Sequence, residues 1–220
     1  MTSPASSSPF IFGVDLDGVC GDYTLAFREV VAEEFGVKPE SLPLERSWDF
    51  NEWGLTPQTF EALHQKAVLE KRIFRDMAVM DGCADALWRL SDAGVWIRIV
   101  THRLYVNWGH ATAVADTVQW LDNARIPYRD ICFLGAKPEV ACDAYVDDGG
   151  HNITGLRDAG NTVIAFDMPY NRSIPGLRAH NWEEVEQIVL DLATQGGRYV
   201  EVQLPGFPSG AERLDDRKRD

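Results

Sequence analysis

The chain has 220 residues, 45% of them hydrophobic, which suffices for a buried core in one domain, or in one domain carrying a smaller insertion, and excludes a disordered or fibrous class. Its formal net charge of −13 excludes non-specific binding to a nucleic-acid polymer or an anionic membrane, either of which needs a positive field. An acidic protein that handles anions needs a metal or well-placed cations.

The first element is the apolar run Phe10 to Val14, a buried strand that ends on Asp15 and Asp17, with Gly18 letting the chain turn away. Residues 22–79 break with that pattern. They read as helix from Thr24 to Phe35 and from Pro57 to Lys71, joined by the aromatic-rich GVKPESLPLERSWDFNEWGL, and hold no convincing strand. This segment is expected to be a helical cap inserted after the first strand, covering the sheet's carboxyl edge as a lid. Strands follow at Val95 to Val100, Asp130 to Leu134, Ala144 to Val146 and Thr162 to Phe166. Between them lie WGHATAVADTVQWLDNA, with Val114, Val118 and Leu121 on one helical face, and NITGLRDAG, closed by Gly160. Such alternation predicts an α/β fold: a Rossmann-like open parallel sheet flanked by helices, formed by residues 10–21 and 80–195. Residues 1–9 are expected to be disordered and 196–220 to be an irregular tail.

Cys20, Cys83, Cys132 and Cys142 are widely spaced and form no C-x-x-C pair, so neither a zinc site nor a disulfide framework is suggested. The opening MTSPASSSP has no basic region followed by an apolar run, and no span is long enough to cross a bilayer. A cytoplasmic protein with reduced thiols is expected, without a membrane or nucleic-acid partner; a homodimer is left open.

Four strand ends carry polar residues: Asp15 with Asp17, then Thr101, Lys137, and Asp147 with Asp148. In a parallel sheet these ends share one edge, so the residues converge although they are far apart in the chain. Each alone reads as a cap, a turn or a solvated surface residue; all of them in this order point to a site. Clustered carboxylates repel unless they bind protons or a cation, and an oxygen-only set suits Mg²⁺, which shares its coordination with substrate phosphate. Lys137 and the Thr101 hydroxyl suit phosphoryl oxygens.

FGVDLDGV, IVTHR, LGAKPE and YVDDGG together resemble the four motifs of the haloacid dehalogenase (HAD) superfamily over roughly residues 10 to 195. The resemblance implies a phosphatase with Asp15 as nucleophile, Asp17 as acid and base, Thr101 and Lys137 holding the phosphoryl group, and Mg²⁺ on Asp15, the Asp17 carbonyl, and Asp147 or Asp148. An acid at Asp17 favours phosphoester over carbon–halogen cleavage, because the superfamily's dehalogenases lack it. DLDGVCGDY, the Trp-rich cap and FDMPYNR look like the 5'(3')-deoxyribonucleotidase group, which implies a nucleoside 5'-monophosphate as substrate. Tyr23, Trp48, Phe50 and Trp53 then become candidates to stack on a base, although a small cap core needs aromatics as well. That group often has a small hydroxyl residue after the motif threonine and an arginine shortly before the lysine; here His102 and the pair Gly135 and Ala136 stand there. His102 and Arg103 are therefore candidate substrate contacts. Alternatives are a phosphatase for another small ester such as a sugar phosphate, or a non-catalytic HAD-fold binding protein. A phosphorelay receiver uses similar residues in the reverse order and without a lid.

Overall fold

A computed structural model describes residues 8–198 except 136. The expected starting and tail segments at 1–7 and 199–220 lie outside the described residues. Six strands, β1 (Ile11–Val14), β2 (Trp96–Thr101), β3 (Asp130–Phe133), β4 (Ala144–Asp147), β5 (Val163–Phe166) and β6 (Arg178–Ala179), form one parallel sheet in the order β3-β2-β1-β4-β5-β6. β4 and β5 are buried at every position, as a strand covered by helices on both faces must be. β1 is central, with Val14 registered between Ile99 and Val146. Chain order runs outward from β1 in both directions, so the crevice at the carboxyl ends of β1 and β4 is the topological switch point where ligands settle.

Among the described residues seven α-helices accompany the sheet: α1 (Tyr23–Phe35), α2 (Pro57–Leu69), α3 (Ile73–Asp76), α4 (Cys83–Asp92), α5 (His110–Asn123), α6 (Gly150–Asp158) and α7 (Trp182–Gln195). Their ends follow from local chemistry. The Asp22 carboxylate accepts from the Leu25 amide at 2.9 Å to start α1, and Gly36 ends it with a φ of 63°, a left-handed conformation that favours glycine. Thr56 and Thr59 form a reciprocal cap at α2, with Pro57 in the first turn. Asn181 caps α7, whose buried Trp182 donates its indole N–H to the Val19 carbonyl at 3.0 Å and so ties this helix to the loop after β1.

α1, α2 and α3 lie in the segment between β1 and α4, which contains no strand. Its two ends leave the sheet side by side: Asp22 N donates to Ala78 O at 2.9 Å and Met80 N to Cys20 O at 2.7 Å. Inside it, Phe27, Phe50, Trp53 and Phe60 pack ring to ring. β6, only two residues long, is not among the expected strands. The helix expected to begin at Trp108 begins instead at His110, because Trp108 adopts φ 63° and stands fully exposed before Gly109. Among the described residues no helix is long and apolar enough to cross a membrane.

Candidate active site

Asp15 follows the last residue of β1, and its amide donates to Val146 O of β4 at 3.1 Å, which fixes it beside Asp147 and Asp148. One oxygen from each of these three carboxylates lies within 4.8 Å of the others. Lys137 reaches into the cluster from the loop after β3, its Nζ 2.5 Å from Asp15 Oδ1 and 2.6 Å from Asp147 Oδ2. Asp147 Oδ1 is held by the Gly149 amide at 2.9 Å and by Asn152 Nδ2 at 3.2 Å. Asp148 accepts from the Tyr170 hydroxyl, while its backbone carbonyl accepts from Asn171 Nδ2 at 2.8 Å. The PYN turn (Pro169–Asn171) is thus the buttress of the acidic pair. Gly18 is required by space as well as by its φ of 84°, since a Cβ there would collide with the Asp148 carboxylate.

All three carboxylates are buried, and one ammonium leaves two of their negative charges unbalanced. Burial, with the neighbouring Asp147 and Asp17 charges, pushes Asp15 up to about 7 against the pull of Lys137. Burial followed by the Asp15 and Asp147 charges raises Asp148 well above the usual carboxylate range. Burial alone would lower Lys137, but Asp147 and Asp15 outweigh it and hold the ammonium more firmly protonated than usual. A buried, oxygen-only donor set with two charges to spare fits a hard divalent cation such as Mg²⁺.

Asp17 stands beside this cluster, more open to solvent than Asp15, and pairs with Arg103: Nη2 lies 2.7 Å from Oδ1, and Nε lies 3.1 Å from both oxygens. Thr101 ends β2 almost fully buried, its hydroxyl accepting from the Arg103 amide at 3.3 Å. Asp15, Asp147, Asp148 and Lys137 therefore come together, while Thr101 ends the neighbouring strand β2.

The expected substrate contacts divide. Tyr23 bonds His64 Nδ1 at 2.8 Å and stacks on Phe27. Trp48 is 46% exposed and packs its edge against His151 and Tyr170 at the rim of the acidic pair. Phe50 and Trp53, by contrast, are 4% and 3% exposed and belong to the insertion's own aromatic core, Trp53 donating to Pro43 O at 2.8 Å; neither offers a face to a base. Arg103 is also corrected: its side chain has no exposed surface and is spent on Asp17 and on the rings of Phe74 and Trp120. His102 is half-buried, held below the usual histidine range by burial and by the Lys137 charge, and its Nε2 is buried without a hydrogen-bond partner among the described residues.

Arg46 and His64 were not among the expected residues. Arg46, 6% exposed, lies over the rings of Phe50 and Tyr170 and donates from Nη2 to Thr24 Oγ1 at 2.8 Å, joining the insertion to the buttress of Asp148. A lone arginine in a loop gives no signal of this in sequence. For His64 the signal available is its i, i+4 spacing from Phe60 on one helix.

Residues 9–195 match the family model of 5' nucleotidase, deoxy (pyrimidine), cytosolic type C protein. The chain is 41% identical over 190 residues to a Chlorobaculum tepidum protein provisionally named a 5'(3')-deoxyribonucleotidase, covering 86% of this chain and 94% of that one. It is 31% identical over 84 residues to the Bacillus subtilis 5'(3')-deoxyribonucleotidase, covering 37% of this chain and 47% of that one. Among solved structures, a haloacid dehalogenase-like protein of Agrobacterium tumefaciens superposes with a TM-score of 0.56 at 16% identity, over 84% of this chain and 100% of that one. A haloacid dehalogenase-like hydrolase of Streptococcus pneumoniae does so with a TM-score of 0.55 at 16% identity, over 82% and 98%. The fold and the family match agree: the chain has the fold of haloacid dehalogenase-like proteins, is a phosphatase, and belongs to the deoxy (pyrimidine) cytosolic type C 5'-nucleotidase family.

Proposed function

We propose that the protein hydrolyses (deoxy)nucleoside 5'-monophosphates through an aspartyl-phosphate on Asp15, with Mg²⁺ held by Asp15, the Asp17 carbonyl and the Asp147/Asp148 pair. The observation that carries the reading is the buried meeting of Asp15, Lys137, Asp147 and Asp148, with Asp17 alongside. When bound, the cation neutralises the carboxylates and the phosphoryl oxygens, so that an anionic nucleophile can approach an anionic ester.

Asp15 Oδ1 is engaged by Lys137, and Oδ2 has no hydrogen bond among the described residues, so Oδ2 is the attacking atom. It forms the bond to phosphorus while the bond to the ester oxygen breaks, and Asp17 gives its proton to the departing alkoxide. Asp17 then takes a proton from water as that water attacks phosphorus; the Asp15–phosphorus bond breaks and inorganic phosphate leaves. Of the Asp17 oxygens, Oδ2 is the less engaged by Arg103 and carries the proton in transit. Thr101, Lys137 and the unpartnered His102 Nε2 are the donors for phosphoryl oxygens, a buried polar atom without a partner being a group that a ligand satisfies. Residues 22–79 act as the cap that closes over the leaving group, with Trp48 at its rim, and the family description fits a cytoplasmic enzyme.

Phosphate release from a panel of deoxynucleotides, ribonucleotides and sugar phosphates, in Mg²⁺ and in EDTA, tests the reading. It expects metal-dependent turnover with a nucleoside 5'-monophosphate preferred. Turnover indifferent to EDTA, or sugar phosphates outrunning every nucleotide, overturns it.

A further inference from the structure

His64 is a half-buried histidine with one nitrogen occupied and the other left open. Its ring lies flat on Phe60 (centroids 5.6 Å apart, planes at 14°) and meets the edges of Phe27 and Phe74. Nδ1 is 2.8 Å from the Tyr23 hydroxyl, the one hydrogen bond the imidazole makes among the described residues. Nε2 has no partner among the described residues and, on a half-buried ring, is not sealed from solvent. Phe74, whose ring lies 5.9 Å from that of His64, sits under the Arg103 guanidinium that pairs with Asp17, which puts the pair on the Asp17 side of the site.

The state of the pair follows from its surroundings. Burial holds His64 down at about 4, so the ring is neutral at neutral pH, and burial keeps the Tyr23 phenol protonated. A phenol is a stronger acid than a neutral imidazole N–H, so Tyr23 donates to Nδ1 and the imidazole proton sits on Nε2. The result is a single fixed donor in an otherwise aromatic wall, beside the group that protonates the ester oxygen.

We infer that His64 Nε2 donates a hydrogen bond to the sugar 3'-oxygen of the leaving nucleoside, with Tyr23 as the positioning residue that fixes the tautomer. In a nucleoside 5'-monophosphate the furanose is one carbon from the ester oxygen that Asp17 serves, which brings its hydroxyl, rather than the more distant base, to a donor beside Asp17. The inference rests on the nucleotide reading above.

The experiment compares a deoxynucleoside 5'-monophosphate with its 2',3'-dideoxy counterpart, and with phenyl phosphate, which has no polar edge. The wild type is expected to favour the deoxynucleotide over the dideoxy analogue by about tenfold in kcat/KM, the worth of one well-made hydrogen bond. His64→Phe is expected to abolish that difference mainly through KM while turning over phenyl phosphate as before. His64→Gln, which returns an N–H donor at similar reach, restores part of it, and Tyr23→Phe weakens it. A His64→Phe enzyme that still discriminates, or that loses all three substrates equally while folded, overturns the inference alone. Should His64→Phe fail to fold, Tyr23→Phe and His64→Gln decide it by the same criterion. A wild type active on phenyl phosphate but on no nucleotide overturns the nucleotide reading, and the inference with it.

Discussion

Arg103 is the residue whose placement departs furthest from a surface substrate contact, and its removal has a calculable effect. Its guanidinium has no exposed surface, whereas the Asp17 side chain keeps 28% of its own. Arg103→Met removes charge-assisted hydrogen bonds worth about 1.5–3 kcal/mol, but the stranded carboxylate reaches water and the replacement still fills space between Phe74 and Trp120. Asp17→Ala does the reverse. It strands a fully buried cation whose other neighbours, Thr117 Oγ1 and Met77 Sδ, carry no charge, and breaking a buried pair that way costs about 3–5 kcal/mol. The Asp17 variant is therefore the less stable of the two, and the double variant recovers part of the loss, because the unpaired cation is gone. Urea unfolding of the four proteins, read at constant m, measures this order. The reverse order would refute the reasoning. So would an Arg103→Met enzyme of wild-type stability with a KM raised tenfold, since that would put the guanidinium on the substrate.

Burial raises Asp15 to about 7 and Asp148 well above its usual range, so the folded metal-free protein holds protons that the unfolded chain releases near pH 4. Stability in EDTA should therefore be greatest near pH 4 and fall as pH rises toward 7, with Mg²⁺ restoring it at neutral pH; a melting temperature flat in pH and blind to Mg²⁺ contradicts this. Gly18→Ala should cut turnover at least about 10²-fold, because the new methyl displaces the Asp148 carboxylate and the backbone must hold a left-handed φ; near-normal kinetics would disprove the clash. Trp53→Ala should cost about 3–5 kcal/mol as a core deletion, whereas the half-exposed Trp48→Ala should leave stability within about 1 kcal/mol and raise KM, a contrast that thermal melts and kinetics separate.

The candidate site is legible in outline because its carboxylates stand where apolar strands end and Lys137 follows shortly after one. Apolar strands announce their own carboxyl ends, and a parallel sheet gathers those ends on one edge, which is how the sequence pattern points to the meeting of Asp15, Lys137 and Asp147. The partners that tune them were not legible, since those contacts are tertiary. Nothing near Arg103 in the chain says that its counter-charge is Asp17, 86 residues away, and Tyr170 reads as part of a turn until Asp148 is seen beneath it. Phe50 and Trp53 misled for a related reason: aromatic residues in a helical insertion serve its core or its cleft equally well, and burial alone separates the two. β6 was invisible because two residues carry no period.

The central claim is a covalent bond between Asp15 and phosphorus. Asp17→Asn keeps Asp15, Lys137 and the acidic pair but removes both the acid that protonates the alkoxide and the base that activates water, so with an ester whose leaving group needs no proton, such as p-nitrophenyl phosphate, the phosphoryl-enzyme should form and accumulate. Acid-quenched Asp17→Asn protein, incubated with p-nitrophenyl phosphate and Mg²⁺ and digested for mass spectrometry, should carry one phosphoryl group on Asp15 and none when Asp15 is also changed to Asn. Steady phosphate release with no adduct on Asp15, or an adduct on another residue, would contradict the account.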